Sequence, residues 1–317
     1  MKSVFALASL NVDMVANVAN LPEKGETVFS NGFKQHYGGK GANQVMTVSR
    51  LGGRICAMGK VGNDVIGRQY IEHFKNNSID TSYILVDETA PTGRAFINVD
   101  DAGNNNIVVI SGANAKLSAA EVESAREKLT EASIILSQFE VPVEATQSAF
   151  EIGKKNRDAV TIFNPAPVKD IPEDMWGYID ILVPNRGELN QIAGKSLDSD
   201  YEILTAAREL IKKGVNYVIV TLGEDGAMVI GEEQDCIIPS EKVQAVNTTG
   251  AGDSFIGGLA YDLMNKTVLN FQAVKESAEF ATIVAAITVQ TDGVQDSLPT
   301  MGMVKAFLEA RHPERLI

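Results

Sequence analysis

Short runs of residues that are apolar on both faces alternate with helix-period patterns along most of this chain. The strand-like runs fall at residues 4–10, 55–61, 134–139, 160–164, 181–184 and 217–221. A strand apolar at successive positions has no face to offer water, so it belongs inside a sheet covered on both sides. Helical patterns lie between the runs, at 40–51, 64–76, 143–155, 201–213 and 271–289. Ser118 and Glu121 have the spacing of a capping box that opens a helix running to 131. This order predicts an α/β fold, a doubly wound and mostly parallel sheet flanked by helices. The 317 residues read as one domain spanning 1–317.

Two stretches break the alternation. Residues 14–37 and 91–110 read as short strands and turns, including Asp100-Asp101-Ala102-Gly103 followed by Ile107-Val108-Val109-Ile110. As separate edge decorations they would expose their apolar side chains. We expect them to pair as a small β-sheet, a discontinuous lid over the main sheet.

The charge balance is acidic, 41 Asp and Glu against 28 Lys and Arg, for a net charge of −13 without a long basic run. That argues against a nucleic-acid surface, although a local anion site is compatible with an acidic protein. Cys56 and Cys236 lie far apart without a paired spacing, which suits free thiols in a reducing compartment and does not suit zinc. His36, His73 and His312 form no ligand cluster and read as structural or surface residues. The apolar N-terminus flows directly into Asn11 and Asp13, as a buried strand does and a signal peptide does not. No segment is long and apolar enough to span a bilayer. Together these features predict a cytoplasmic protein.

The chemistry is concentrated in Asn247-Thr248-Thr249-Gly250-Ala251-Gly252-Asp253, where a helical pattern begins. A Gly-Ala-Gly turn at a helix start leaves unpaired backbone N–H groups aimed outward, an anion site. A carboxylate beside such a site fits a base that deprotonates a hydroxyl attacking a phosphoryl group held by the turn. The same residues also fit a glycine-rich turn with an ordinary helix-capping aspartate. A second turn, Gly38-Gly39-Lys40-Gly41-Ala42-Asn43, permits close approach of a polyhydroxylated ligand to the backbone, with Lys40 and Asn43 as donors. Alone it fits a flexible turn equally well. Asn11 and Asp13 follow the first strand and Glu140 follows the run at 134–139, where ligands gather in open α/β sheets.

In this order the motifs are highly specific. Asn11-Val12-Asp13, the Gly38–Asn43 turn, Asn164-Pro165-Ala166-Pro167, Pro184-Asn185-Arg186-Gly187-Glu188, Thr221-Leu222-Gly223 and Gly250-Ala251-Gly252-Asp253 resemble the ribokinase family, the PfkB group of carbohydrate kinases, over nearly the whole chain. The resemblance implies ATP-dependent phosphorylation of the primary hydroxyl of a pentose. It makes Asp253 the general base and Gly250, Ala251 and Gly252 the anion hole. Asn11, Asp13, Gly39, Lys40, Asn43 and Glu140 would hold the sugar. Asn185, Thr221, Gly223, Gly226, Gly252 and Thr282 would bind nucleotide, with Glu188 serving Mg²⁺ through water. A monovalent cation, K⁺, would sit at Asn247, Thr249, Thr288, Thr291, Gly293 and Ser297, mostly on backbone oxygens.

The chain departs from the family pattern at Asn247, where the motif usually begins with Asp, so a K⁺ site should be weakened here. Thr282 also stands where a residue that stacks better on adenine is common. The resemblance further implies a homodimer through the lid. Within the enzyme class, 2-deoxyribose or another small sugar is the alternative substrate. Outside it stands a non-catalytic sugar-binding regulator, which would have no use for the surviving carboxylate and anion hole.

Overall fold

The apolar runs assemble into one twisted sheet, and the two irregular stretches into another. The computed structural model describes residues 2–155 and 159–313; the expected domain span 1–317 includes residues 1, 156–158 and 314–317, which lie outside the described residues. The strands in chain order are β1 (Val4–Leu7), β2 (Asn11–Val18), β3 (Gly32–Gly38), β4 (Ile55–Gly62), β5 (Asp80–Asp87), β6 (Gly93–Asp100), β7 (Asn105–Ile110), β8 (Ile134–Gln138), β9 (Val160–Asn164), β10 (Ile181–Leu182), β11 (Tyr217–Thr221), β12 (Ala227–Ile230) and β13 (Asp235–Ile238). The main sheet has nine strands in the order β13-β12-β11-β10-β9-β8-β1-β4-β5. It is parallel from β5 to β11, and the β12–β13 hairpin closes one edge antiparallel.

Strand β1 shows why the runs are apolar throughout. Val4 and Ala6 enter a core shared with Val45, Phe255, Leu259 and Val274. Phe5 and Leu7 point the other way, into a core with Phe150, Phe163 and Ile203. Successive side chains of a strand alternate in direction, so a strand covered by helices on both faces needs apolar residues at every position.

The lid is a four-stranded sheet ordered β3-β2-β6-β7. Strand β2 runs antiparallel to β3 and parallel to β6, which places Asn11 opposite both Gly38 and Gly93. The residues of β7 are exposed throughout, and Val108 and Phe96 pair on one face with 62% and 41% of their surface open.

Two expectations need correction. The first run, read as one strand over 4–10, ends at Leu7, and Asn11 and Asp13 belong to the lid strand β2. Beyond Leu7 the Ser9 carbonyl accepts from the Ala42 N–H at 3.2 Å, so it serves the start of a helix instead of a neighbouring strand. The helix expected from the Ser118 capping box to 131 is two pieces, Ala119–Glu123 and Arg126–Glu131. At the break the Ser124 hydroxyl donates to the Glu121 carbonyl at 2.6 Å, a local bond that competes with helix continuation. Strand β5 and the β12–β13 hairpin were not read from the sequence.

Candidate active site

The helix Lys40–Arg50 starts pressed against the end of β1. Gly39 has φ 97°, and a Cβ there would lie 2.5 Å from the Ser9 carbonyl oxygen. That contact explains the glycine: only a residue without a side chain combines this backbone angle with this approach. The close approach brings the Lys40 N–H to 2.9 Å from Glu140 Oε2, which also accepts from the Ser9 hydroxyl at 2.6 Å. Asn11 Nδ2 lies 3.5 Å from the same oxygen, and Asn11 Oδ1 accepts from Asn114 Nδ2 at 2.8 Å. Asn11, Glu140 and the Lys40 backbone are therefore brought together. Asp13 lies in the same electrostatic field. Burial, then the charges of Glu140 and Asp253, push its carboxyl up to about 7.

The second motif forms the opposite wall. Gly250 has φ 82° and caps the helix Ala251–Asn265, while a Cβ on Gly252 would meet nothing within 4 Å. The turn is therefore free of side chains at Gly250 and Gly252, whereas the Ala251 N–H is taken up by the Thr248 carbonyl at 3.2 Å. Asp253, 9% exposed, is held by two amides. Asn43 Nδ2 donates to its Oδ2 at 3.0 Å, and Gln44 Nε2 donates to its Oδ1 at 3.2 Å. Burial raises the Asp253 carboxyl above its ordinary range, opposed by the Lys40 charge and the Asn43 and Gln44 amides. The Lys40 ammonium is raised in turn, chiefly by Asp253. A carboxylate anchored by amides, beside a lysine and a bare helix start, is equipped to accept a proton next to a bound anion.

Lys40, Asn164, Glu188, Gly250, Gly252 and Asp253 line a cavity of about 190 Å³. A groove of about 440 Å³ adjoins it, lined by Thr221, Gly223, Gly226, Gly252, Phe255 and Thr282. Asn185, Thr221 and Gly252 border both, so an elongated ligand can occupy the two spaces together. The Thr282 hydroxyl donates to the Ala278 carbonyl of its own helix at 2.9 Å, so its hydrogen is already engaged.

Asn185 and Glu188 form a reciprocal capping box, Glu188 N–H to Asn185 Oδ1 and Asn185 N–H to Glu188 Oε2, both at 2.8 Å. The cap uses one acceptor position of a carboxylate that has several, so Glu188 keeps capacity toward the cavity. The Glu188 carboxylate beside the Asn185 amide suits Mg²⁺, which retains most of its water. Among the described residues there is no cluster of three or more His, Cys, Asp or Glu that could hold a metal by itself.

The residues expected around K⁺ lie on the segment before the Ala251–Asn265 helix, at the end of the helix Phe271–Thr288 and on the loop after it. The Asn247 side chain is occupied at both ends: Oδ1 accepts from the Thr249 N–H at 2.9 Å, and Nδ2 donates to Asp292 Oδ1 at 3.1 Å. The Thr288 and Ser297 hydroxyls donate to Val284 and Val294 carbonyls at 2.9 and 2.8 Å. The Thr291 N–H donates to the Thr288 carbonyl at 3.4 Å, and Gly293 turns the loop with φ 111°. Asp292, absent from the expected set, brings a carboxylate to this loop.

Sequence reasoning missed Ser9, Asn114 and Gln295 entirely, and named Asn164 only within a motif. Gln44 directly follows the Gly38–Asn43 turn, and that adjacency was the available signal. Gln295 carried none; it donates to Asn43 Oδ1 at 3.2 Å across 252 residues of chain.

The pattern of the pfkB family carbohydrate kinases matches residues 1–301. Ribokinase of Haemophilus influenzae is 34% identical over 308 residues, spanning 97% of this chain and 99% of that protein. Deoxyribokinase of Salmonella typhi is 33% identical over 306 residues, spanning 96% and 98%. The structure of Arabidopsis thaliana ribokinase complexed with ribose and ATP is similar with a TM-score of 0.88 and 28% identity, covering 98% of this chain and 99% of that one. With its family pattern, its relatives and its fold in agreement, the chain belongs to the pfkB family of carbohydrate kinases.

Proposed function

We propose that this protein transfers the γ-phosphoryl group of ATP to the primary hydroxyl of a pentose, D-ribose giving D-ribose 5-phosphate. The observation that carries the reading is Asp253, buried and amide-anchored, at the bare first turn of the Ala251–Asn265 helix. Asp253 accepts the hydroxyl proton as the sugar oxygen bonds to the γ-phosphorus, and the bond to the bridging oxygen of ADP breaks. The N–H groups of Gly250 and Gly252 and the Lys40 ammonium face the charge that moves onto the transferring group, while the Ala251 N–H, bonded to the Thr248 carbonyl at 3.2 Å, has to turn from that bond to join them. Asn11, Asp13, Gly39, Lys40, Asn43 and Glu140 hold the sugar, and the groove beyond Thr221 takes the nucleotide. Glu188 and Asn185 would hold a Mg²⁺ ion, which would supply neutralisation of the phosphate charge.

The remaining assignments rest on the same reading. K⁺ occupies the Asn247–Ser297 loops, held less tightly for want of a carboxylate at 247. The exposed apolar face of β6 and β7 pairs two copies through the lid. An ATP-consuming sugar kinase with two free cysteines belongs in the cytoplasm. No helix among the described residues is long and apolar enough to cross a membrane. 2-Deoxyribose is the second substrate reading, favoured by the similarity to a deoxyribokinase at 33% identity.

The test is an ADP-release assay with ATP and Mg²⁺ against ribose, 2-deoxyribose, fructose, tagatose and adenosine. We expect activity on ribose and a fall of about 10²–10⁴-fold in Asp253→Asn. Turnover of another sugar moves the substrate and keeps the mechanism. Sugar binding without turnover on the whole panel favours the regulator.

A further inference from the structure

We propose that Gln295 and His73 are positioning residues, which act through Asn43 to fix the orientation of Asp253. The proposal rests on the reading of Asp253 as the base.

Gln295 is 5% exposed and its backbone is pinned, because Arg50 Nη1 donates to the Gln295 and Leu298 carbonyls at 2.9 and 2.6 Å. Its amide is fully used. Nε2 donates to Asn43 Oδ1 at 3.2 Å and to the Tyr70 hydroxyl oxygen at 3.3 Å. The Tyr70 hydroxyl gives its own hydrogen to the Gly38 carbonyl at 2.5 Å, so toward Gln295 it accepts. Gln295 Oε1 can only accept, so His73, whose Nε2 lies 2.8 Å away, presents an N–H there.

Asp253 anchors the directions, because its carboxylate can only accept: Asn43 presents Nδ2 to it and Oδ1 to Gln295, and turning the Gln295 amide over would set Oε1 against Asn43 Oδ1. Asn43 is fixed in consequence: its oxygen is claimed by Gln295, so its NH₂ faces Asp253 Oδ2. A directed line of N–H donors runs from His73 through Gln295 and Asn43 and ends on the base. The line also touches the foot of the lid. His73 stacks on Tyr37 of β3 with centroids 4.0 Å apart, and Tyr70 holds the carbonyl of Gly38, the last residue of β3.

Charged groups around both ends are few. Asp253 faces Lys40 and Glu140, with Asp13 in the same field. His73 is influenced by Asp296 and Arg50, and burial is the largest effect, favouring the neutral ring. Without the Gln295 donor the Asn43 amide can turn its oxygen to Asp253. The carboxylate then loses a donor that favours its ionised form, and its proton affinity rises.

The experiment compares kcat, KM for ATP and the pH profile of kcat for the full-length protein and for Gln295→Met, His73→Phe and His73→Gln, with Asp253→Asn in parallel. Gln295→Met is expected to lower kcat about tenfold with ATP KM within about twofold. The acid limb of its profile should move up by about half a pH unit or more. His73→Phe keeps the stack on Tyr37 and removes the N–H, so it moves the limb the same way by less. His73→Gln, which restores an N–H, recovers part of the change. Unchanged profiles in Gln295→Met and His73→Phe overturn the inference, as does a lowered melting temperature with the acid limb unmoved. If Gln295→Met does not fold, His73→Phe decides alone. An inactive wild type, or an active Asp253→Asn, defeats instead the reading of the site on which the inference stands.

Discussion

Asp13 and Glu140 bring like charges close together, and their repulsion adds to burial in pushing the Asp13 carboxyl from 3.8 up to about 7. The folded protein thus holds a proton on Asp13 that the unfolded chain releases near pH 4. Where the folded state binds more protons, stability falls as pH rises, so this site costs stability progressively between about pH 4 and 7 and fully above. Asp13→Asn removes the cost. Its melting temperature should exceed that of the wild type most at pH 8 and least near pH 4. An equal gain at both pH values contradicts the assignment. In the same variant the sugar KM should rise, since an ionised carboxylate accepts hydroxyl hydrogens better than an amide that offers one oxygen.

Gly39 and Gly252 should respond oppositely to an added methyl group. At Gly39 the φ of 97° and the Ser9 carbonyl make alanine a fold lesion, costing roughly 3 kcal/mol in denaturant unfolding. At Gly252 a Cβ meets nothing within 4 Å. Gly252→Val should therefore hold most of the stability while it fills the anion turn, lowering kcat/KM for ATP by about tenfold or more. A variant of Gly252 that is unstable but fully active would refute the role given to that turn.

Potassium activation should be strengthened by one substitution. Asn247→Asp replaces an amide that donates to Asp292 at 3.1 Å with a second carboxylate beside the first. The pair repels without a cation and binds one more tightly. Half-maximal activation should occur at a lower K⁺ concentration in Asn247→Asp than in the wild type. Superimposable activation curves would count against a cation at these loops.

The lid face carries the dimer prediction. Phe96 and Val108 are cross-strand partners with 41% and 62% exposure. Val108→Asp puts a charge at the centre of that apolar face, so sedimentation at micromolar concentration should move from dimer toward monomer. A wild type that sediments as a monomer removes the dimer altogether.

What could be read from the chain depended on whether the physics was local. The parallel strands were legible because burial on two faces writes itself into consecutive residues, as in β1 and β8. The Gly250–Asp253 and Gly38–Asn43 turns were legible because a helix start with close ligand approach needs glycine at fixed spacing. The end of β1 was not, since it is set by the Ser9 carbonyl turning to Ala42, more than thirty residues away in the chain. Gln295 was invisible for the same reason on a longer scale. Its neighbours Asn43, Tyr70 and His73 come from distant segments, and a buried amide leaves no periodic mark.

Strand β2 has one more consequence. Asn11 and Asp13 lie on the lid, whereas Asp253 lies on a helix of the body encoded some 240 residues later. On the proposed function, two of the six sugar contacts are thus written in a stretch of the gene separable from the machinery of transfer. On that proposal, exchanging residues 11–38 and 91–112 between relatives would alter the Asn11 and Asp13 contacts and leave the phosphoryl-transfer turn untouched. A fold arranged this way can diversify its substrates while its chemistry stands still.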